Sequence, residues 1–160
     1  MEKTMMKPLT VELRGEQEVV VTRGFDAPRD LVWECHTKPE LVKRWMLGPP
    51  GWTMPVCEID FRVGGKYLHT WRHPSQGEFS MSGIYREIAQ PERIVVNEYY
   101  QDEESRVTQT FAAQGKKTTL TVVMRFASAE KREAAVKTGM TDGMEQGYQR
   151  LDEILVEKQA

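Results

Sequence analysis

The stretch from Trp52 to Phe126 is the feature that most restricts what this chain can fold into. It consists of short runs rich in apolar, β-branched and aromatic residues, separated by turn-forming segments such as Gly64-Gly65 and Pro74–Gly77. Runs of this length with short turns between them predict consecutive antiparallel strands. The predicted strands cover residues 54–61, 66–73, 79–88, 93–100, 106–111 and 118–126.

Helical patterns lie on both sides of this stretch. A strand over residues 18–25 is followed by two short helices, the first with Pro28 in its opening turn, where the missing N–H costs nothing. After the strands, Ser128 is expected to cap one long helix that ends near Glu157. The order predicts an α+β helix-grip, in which a curved antiparallel sheet wraps around a long C-terminal α-helix and the two short helices close one end.

The domain organisation is simple. Residues 1–16 are polar and charged, and we expect them to form a flexible lead-in. Residues 17–160 are expected to form a single domain, because the length is typical of one hydrophobic core and the sequence shows no internal repeat.

The C-terminal helix carries glycine at every fourth position, namely Gly139, Gly143 and Gly147. Residues four apart lie on one helix face, and each glycine destabilises a helix by about 1 kcal/mol relative to alanine. Met140 and Met144 form a second row beside them. A bare face next to a flexible apolar face predicts close approach by another group. Packing against the sheet and shaping of a ligand space both remain open at this point.

Composition excludes several classes of function. The chain has 22 basic and 24 acidic residues, a net charge of −2 and no block of like charge, which argues against a nucleic-acid or anionic-membrane surface. No apolar run approaches the roughly 20 residues of a membrane span, so we expect no membrane insertion. The N-terminus shows no signal-peptide pattern, and Cys35 and Cys57 have no CxxC spacing. We therefore expect a cytoplasmic protein with two reduced thiols.

Short motifs along the chain resemble a known superfamily in their order and spacing. They are Arg23–Pro28, Pro39-Glu40 with Trp45, Cys57–Asp60 followed by Gly64-Gly65, Gly83–Ile88, Pro91–Ile94, Val107–Phe111, Lys117–Leu120, and Gly139-Met140 with Gly143, Gly147 and Leu151. Over residues 18–157 the chain resembles the START-like (SRPBCC) superfamily, and within it the heat-shock-protein-90 ATPase activator-like branch. The resemblance implies the helix-grip fold and an internal cavity. Most members hold hydrophobic small molecules there, and a minority catalyse cyclisation, dehydration or hydrolysis.

The predicted function is binding of a small hydrophobic or aromatic molecule between the sheet and the C-terminal helix, without catalysis and without a cofactor or metal. Aromatic side chains and methionines supply large, adaptable apolar surfaces for such a site. The predicted lining residues are Trp45, Trp52, Met54, Trp71, Met81, Tyr85, Met124, Met140, Met144 and Tyr148. Their strand members depend on the register, because a slip of one residue turns each of them to the other face.

Two alternative functions remain. The first is an enzyme of the cyclase or hydrolase type that uses a cavity histidine or carboxylate. His69 and His73 share one strand face, but at about 13 Å apart they cannot hold one metal ion, and the chain has no GxSxG or HExxH motif. The second alternative is a protein-interaction module, either a co-chaperone that contacts a chaperone or a homodimer formed through the outer face of the sheet.

Overall fold

Within residues 7–160, a single antiparallel sheet of eight strands forms the framework. The computed structural model describes residues 7–160. The strands are β1 (Thr10–Arg14), β2 (Glu18–Phe25), β3 (Thr53–Ile59), β4 (Lys66–His73), β5 (Gly77–Ala89), β6 (Arg93–Tyr100), β7 (Glu103–Gln114) and β8 (Lys117–Arg125). Across the sheet they lie in the order β1-β2-β8-β7-β6-β5-β4-β3. The last strand, β8, therefore pairs with β2 from the start of the chain, and β1 and β3 are the edge strands.

The helices are α1 (Arg29–Thr37), α2 (Pro39–Trp45), α3 (Ala129–Lys137) and α4 (Met140–Gln159). Pro39 opens α2, and the Ser128 side chain caps α3 by accepting a hydrogen bond from the Lys131 backbone N–H. The long α4 packs against α2 and contributes Tyr148 and Leu151 to the main core. The predicted helix-grip architecture is therefore confirmed.

The C-terminal helix is not continuous, contrary to the sequence prediction. It breaks at Gly139, which has a φ of +77° and forms the N-cap of α4. At the end of α3, the Thr138 hydroxyl donates a hydrogen bond of 2.6 Å to the carbonyl oxygen of Ala135. Gly139 is thus a hinge residue between two helices rather than a member of a helical stripe, because a left-handed backbone is readily adopted only by glycine.

The structure also differs from the predicted lead-in. Residues 10–14 form β1, which pairs with Glu18–Thr22 of β2. All the side chains of β1 are exposed, so the strand is held by its backbone pairing and not by burial of an apolar face. Alternation of Val11 and Leu13 with polar residues is visible in the sequence, but it is too short to separate a strand from a polar tail. Residues 1–6 lie outside the described residues.

Arg23 links the sheet to α4. It alternates with Val21 and Phe25 on the inner face of β2, and its side chain is 1% exposed. All five guanidinium N–H groups are used: they donate to the carboxylates of Glu145 and Asp152 and to the Gly24 carbonyl oxygen. Burial acts to lower the pKa of Arg23, but the hydrogen bonds that it donates to Asp152 and Glu145, together with the charges of these carboxylates, outweigh burial and raise that pKa. The buried charge is therefore fully paired.

The remaining glycines of the predicted stripe face α2 and the loop after it. A Cβ on Gly147 would lie 2.9 Å from the Trp45 carbonyl oxygen, and one on Gly143 would lie 3.5 Å from Cδ of Pro49. The close approach that the sequence predicts therefore exists. The groups that approach are the end of α2 and the connection after it, and not the sheet.

Candidate functional site

The concave face of β4, β5 and β6 carries the candidate site. Directly opposed residues of antiparallel strands share one face, so they form rows across the sheet. Going inward from the edge, the rows are Trp71–Phe79, His69–Met81 and Tyr67–Gly83–Glu98. We call these residues the concave patch. It combines an apolar and aromatic edge with polar groups farther in.

Tyr67 reaches Glu98 by lying across Gly83. A Cβ on Gly83 would overlap the Tyr67 ring, so only glycine leaves room for that side chain. The Tyr67 hydroxyl then donates to Oε2 of Glu98, one strand farther along the sheet. Burial and the neighbouring Glu98 raise the pKa of Tyr67, which keeps the phenol neutral. Burial likewise raises the pKa of Glu98, and the hydrogen bond from Tyr67 opposes part of that shift.

His69 lies between two aromatic rings of the same strand. Its ring centroid is 4.9 Å from that of Tyr67 and 5.8 Å from that of Trp71. The side chain is buried, and its Nδ1 has no hydrogen-bond partner among residues 7–160. Burial lowers the pKa of His69 to about 4, so the imidazole is neutral at pH 7.

Four aromatic residues form the edge of the concave patch, and we call them the aromatic rim: Trp52, Trp71, Phe79 and Tyr100. The Phe79 ring contacts the other three at centroid distances of 5.3, 5.0 and 6.1 Å, respectively. Trp71 is fixed because its Nε1 donates to the Met46 carbonyl oxygen at 2.7 Å. Phe79 is 37% and Tyr100 41% exposed, so large aromatic surfaces remain uncovered at this edge.

The predicted lining residues fall into two groups. One group belongs to the main core and comprises Trp45, Tyr85, Met124 and Tyr148, with Met140 and Met144 partly buried against it. The other lies by the aromatic rim and comprises Met54 and Trp71, with Trp52 and Met81 partly buried against them. Met46 and Ile59 contact both groups.

Within the first group, Trp45 and Tyr148 are enclosed by neighbouring side chains. Their rings stack at 5.7 Å, the Trp45 Nε1 donates to the Cys35 carbonyl oxygen, and Tyr148 meets Phe25 edge-on. Tyr85 is similarly enclosed, with its ring 5.1 Å from that of Phe61. These contacts give the three residues a packing role. The half-buried members of the predicted set are Trp52, Met81, Met140 and Met144.

Sequence reasoning missed Tyr67 and Glu98. A usable signal exists for Glu98, because Ile94, Val96 and Glu98 alternate along β6 and the first two are apolar. That alternation places the carboxylate on the buried face if the register is known. Nothing in the sequence shows that the Tyr67 side chain lies across Gly83 of the next strand.

The chemistry available at the patch is limited. Among residues 7–160 no group of three or more histidine, cysteine, aspartate or glutamate side chains could hold a metal ion. Cys57 pairs with His69 across β3 and β4, but burial raises its pKa to about 11, so it remains a thiol and a poor nucleophile. In the same part of the chain, no helix is long and apolar enough to cross a membrane.

The convex face carries an open groove of about 430 Å³. It is lined by Glu58, Lys66, Tyr67, Leu68, Ser82, Gly83, Ile84 and Tyr99. This lining is mixed in character, with Glu58 and Lys66 exposed, whereas the concave patch brings together aromatic surface, the buried His69 and the half-buried Glu98. The concave patch is therefore the stronger candidate for a ligand site.

Comparisons with known proteins agree with this architecture. A family model described as Activator of Hsp90 ATPase homolog 1-like protein matches residues 26–156. A crystal structure of a Rhodobacter sphaeroides protein is 25% identical, covers 93% of this chain and 98% of its own, and superposes with a TM-score of 0.87. Protein Ms6760 from Mycobacterium smegmatis is 22% identical, covers 94% of this chain and 99% of its own, and has a TM-score of 0.85.

A third solved structure is similar to a smaller extent. It is the AHSA1-like protein from Aeromonas hydrophila, which is 17% identical, covers 84% of this chain and 93% of its own, and has a TM-score of 0.69. No curated protein sequence matches the chain significantly.

Proposed function

The chain belongs to the Activator of Hsp90 ATPase homolog 1-like family, and from this premise we propose that it binds a small apolar or aromatic molecule on the concave patch. One observation carries the proposal: the aromatic rim leaves Phe79 and Tyr100 more than a third exposed at the edge of a buried concave surface. Large aromatic side chains that stay uncovered beside a concave face are typical of a binding surface.

Burial of apolar area supplies the driving force. Each 100 Å² of apolar surface removed from water contributes about 2.5 kcal/mol. The rim offers aromatic faces for stacking, which adds about 0.5–1.5 kcal/mol per ring pair. A flat aromatic ligand therefore gains more from Phe79 and Tyr100 than a flexible chain of equal area would.

Of three half-buried methionines, one belongs to the patch and makes its surface adaptable. Met81 lies in the patch, and Met140 and Met144 pack against the main core from α4. Thioether side chains have low torsional barriers and reshape around different apolar partners. This supports recognition of a class of apolar molecules by shape and area.

Acid–base catalysis is a second candidate, favoured by the half-buried Glu98, whose pKa is raised by desolvation. A carboxyl group whose pKa is raised by burial holds its proton more tightly than usual and is the kind of group that serves as a general acid. A cyclase or hydrolase activity would consume the bound molecule, so time-resolved mass spectrometry separates it from simple binding. The family name also refers to an Hsp90 ATPase, and a stimulation assay with purified Hsp90 tests that role separately.

The test begins with native mass spectrometry of the protein purified from its own host, where a retained small molecule is expected. Fluorescence titration with N-phenyl-1-naphthylamine then measures binding directly. The variant Phe79→Ala removes a rim residue and should weaken binding of this probe, whereas Tyr99→Ala, on the opposite face of the sheet, should not. Absence of a retained mass together with no binding of the probe would overturn the proposal.

A further inference from the structure

The arrangement around Glu98 identifies the chemical class of the ligand more closely. We propose that Glu98 is the polar anchor of the concave patch, and that the ligand is an apolar or aromatic molecule carrying a hydroxyl group that hydrogen-bonds to this carboxyl. The inference rests on the proposed function and deepens it.

Glu98 differs from the other carboxylates that face the interior. Glu145 and Asp152 are paired with Arg23, which neutralises them. Glu98 is half-buried on the concave face, and within residues 7–160 its side-chain partner is a neutral phenol that occupies Oε2. A carboxyl group that leaves water without a cation is costly to keep. Its second oxygen is available for another hydrogen bond.

A second polar group contacts Tyr67, since the His69 ring lies 4.9 Å from the Tyr67 ring. His69 lies two residues after Tyr67 along β4, is more than nine-tenths buried, and has an Nδ1 without a partner in the described part of the chain. The unpaired Nδ1 of His69 and the Glu98 oxygen that Tyr67 leaves free are two polar groups with which a bound molecule can form hydrogen bonds. Both groups lie on the face that carries the aromatic rim, and Tyr67 contacts each of them.

A hydroxyl group is the ligand group that we expect to pair with Glu98. It donates to a carboxylate and both donates to and accepts from a carboxylic acid, so it matches Glu98 in either protonation state. The rim and the row of Glu98 are four residues apart along β4, or about 13 Å. An elongated aromatic molecule with a terminal hydroxyl can stack on Phe79 while its polar end meets Glu98.

The experiment compares two probes of the same shape, 4-phenylphenol and 4-methylbiphenyl. In a purely apolar site the methyl compound binds more tightly, because the hydroxyl group loses its hydrogen bonds to water. At a site with a polar anchor the order reverses, and one hydrogen bond to a charged or strongly polar group corresponds to about tenfold in affinity. Calorimetric titration of the wild-type protein is expected to show at least this tenfold preference for 4-phenylphenol.

Variants locate the effect. Glu98→Leu should reverse the preference and still bind 4-methylbiphenyl. Glu98→Gln, which keeps the shape, should reduce the preference severalfold, and it serves as the test if the leucine variant does not fold. Glu104→Leu is the matched control: Glu104 accepts a hydrogen bond from Tyr99 on the exposed convex face and mirrors the Tyr67–Glu98 pair there. It should behave as wild type.

The failure of this inference is distinguishable from failure of the proposed function. If the wild-type protein binds both probes but shows no preference for 4-phenylphenol, the anchor is overturned and binding of apolar molecules stands. An unchanged preference in both Glu98 variants overturns the anchor in the same way. If neither probe binds, both proposals are overturned.

Discussion

Gly83 controls how the polar part of the concave patch is built. Its missing side chain is the space that the Tyr67 ring occupies on the way to Glu98. Gly83→Ala must therefore displace the ring and break the hydrogen bond. We expect this variant to lose about 1–3 kcal/mol of unfolding free energy, as other overpacking substitutions do. Urea denaturation followed by tryptophan fluorescence measures the loss.

Ser82→Ala provides the comparison for that measurement. Ser82 is next to Gly83 in the sequence, but its side chain lies on the convex face. Its substitution should change the unfolding free energy by less than about 0.5 kcal/mol. Equal stability of Gly83→Ala and the wild-type protein would show that the Tyr67 ring has another position of similar energy.

Prediction of individual residues from the sequence succeeds where the two-residue alternation of a strand is enough to show which face a side chain lies on. Alternation along β2 and β6 places Arg23 and Glu98 among buried apolar residues, and both could be found in that way. The contact between Tyr67 and Glu98 could not, because it depends on the side-chain rotamer of Tyr67 and on Gly83 in the strand between them. His69 was a candidate from its position, but its burial beside Tyr67 depends on the register.

The two glycines inside α4 should respond to alanine in opposite ways. A Cβ on Gly143 would make ordinary contacts of 3.5 Å and longer, so Gly143→Ala should stabilise the protein by about 0.5–1 kcal/mol through helix propensity. A Cβ on Gly147 would lie 2.9 Å from the backbone oxygen of Trp45, which cannot move without shifting α2. Gly147→Ala should therefore lower the melting temperature.

Thermal unfolding of the two variants, each followed by circular dichroism, checks this pair. Stabilisation by Gly147→Ala would mean that α2 yields easily, and destabilisation by Gly143→Ala would mean that the loop at Pro49 packs more tightly than the distances indicate.

Element prediction succeeded best for strands with turns on both sides. The predicted bounds of β4 and β6 agree with the structure, since Gly64-Gly65 and Pro91 mark where pairing stops. The break between α3 and α4 was missed because glycine at every fourth position resembles a helical stripe. The spacing of the glycines is the same whether or not Gly139 has a positive φ, so the spacing cannot reveal the break.

Two buried histidines should make the whole molecule sensitive to acid. Burial lowers the pKa of His36 and of His69 from 6.5 to about 4. As the pH falls below 6.5, the unfolded chain takes up protons that the folded state refuses, so stability present above pH 6.5 is lost progressively down to pH 4. Each histidine accounts for about 3 kcal/mol. Glu98 opposes part of this, since burial raises its pKa and its protonation favours the folded state.

Urea titrations at several pH values between 6.5 and 4 measure this dependence. His36 contacts the rings of Trp45 and Phe111, so His36→Leu keeps an apolar group there and should remove about half of the histidine contribution. A flat unfolding free energy over this range, or the same slope in His36→Leu, would contradict the assignment.

The pairing of Arg23 with two carboxylates of α4 has a mechanical consequence. Glu145 and Asp152 are seven residues apart, about two helical turns or 10 Å along the axis, and both are held by one guanidinium. Sliding α4 by a single residue would move each carboxylate by about 1.5 Å and rotate it by about 100°, which breaks both pairs. The helix therefore has one permitted position against the sheet. If the site accommodates ligands of different size, the change in shape is expected in the methionine side chains and in the connection after α2, and not in the position of α4.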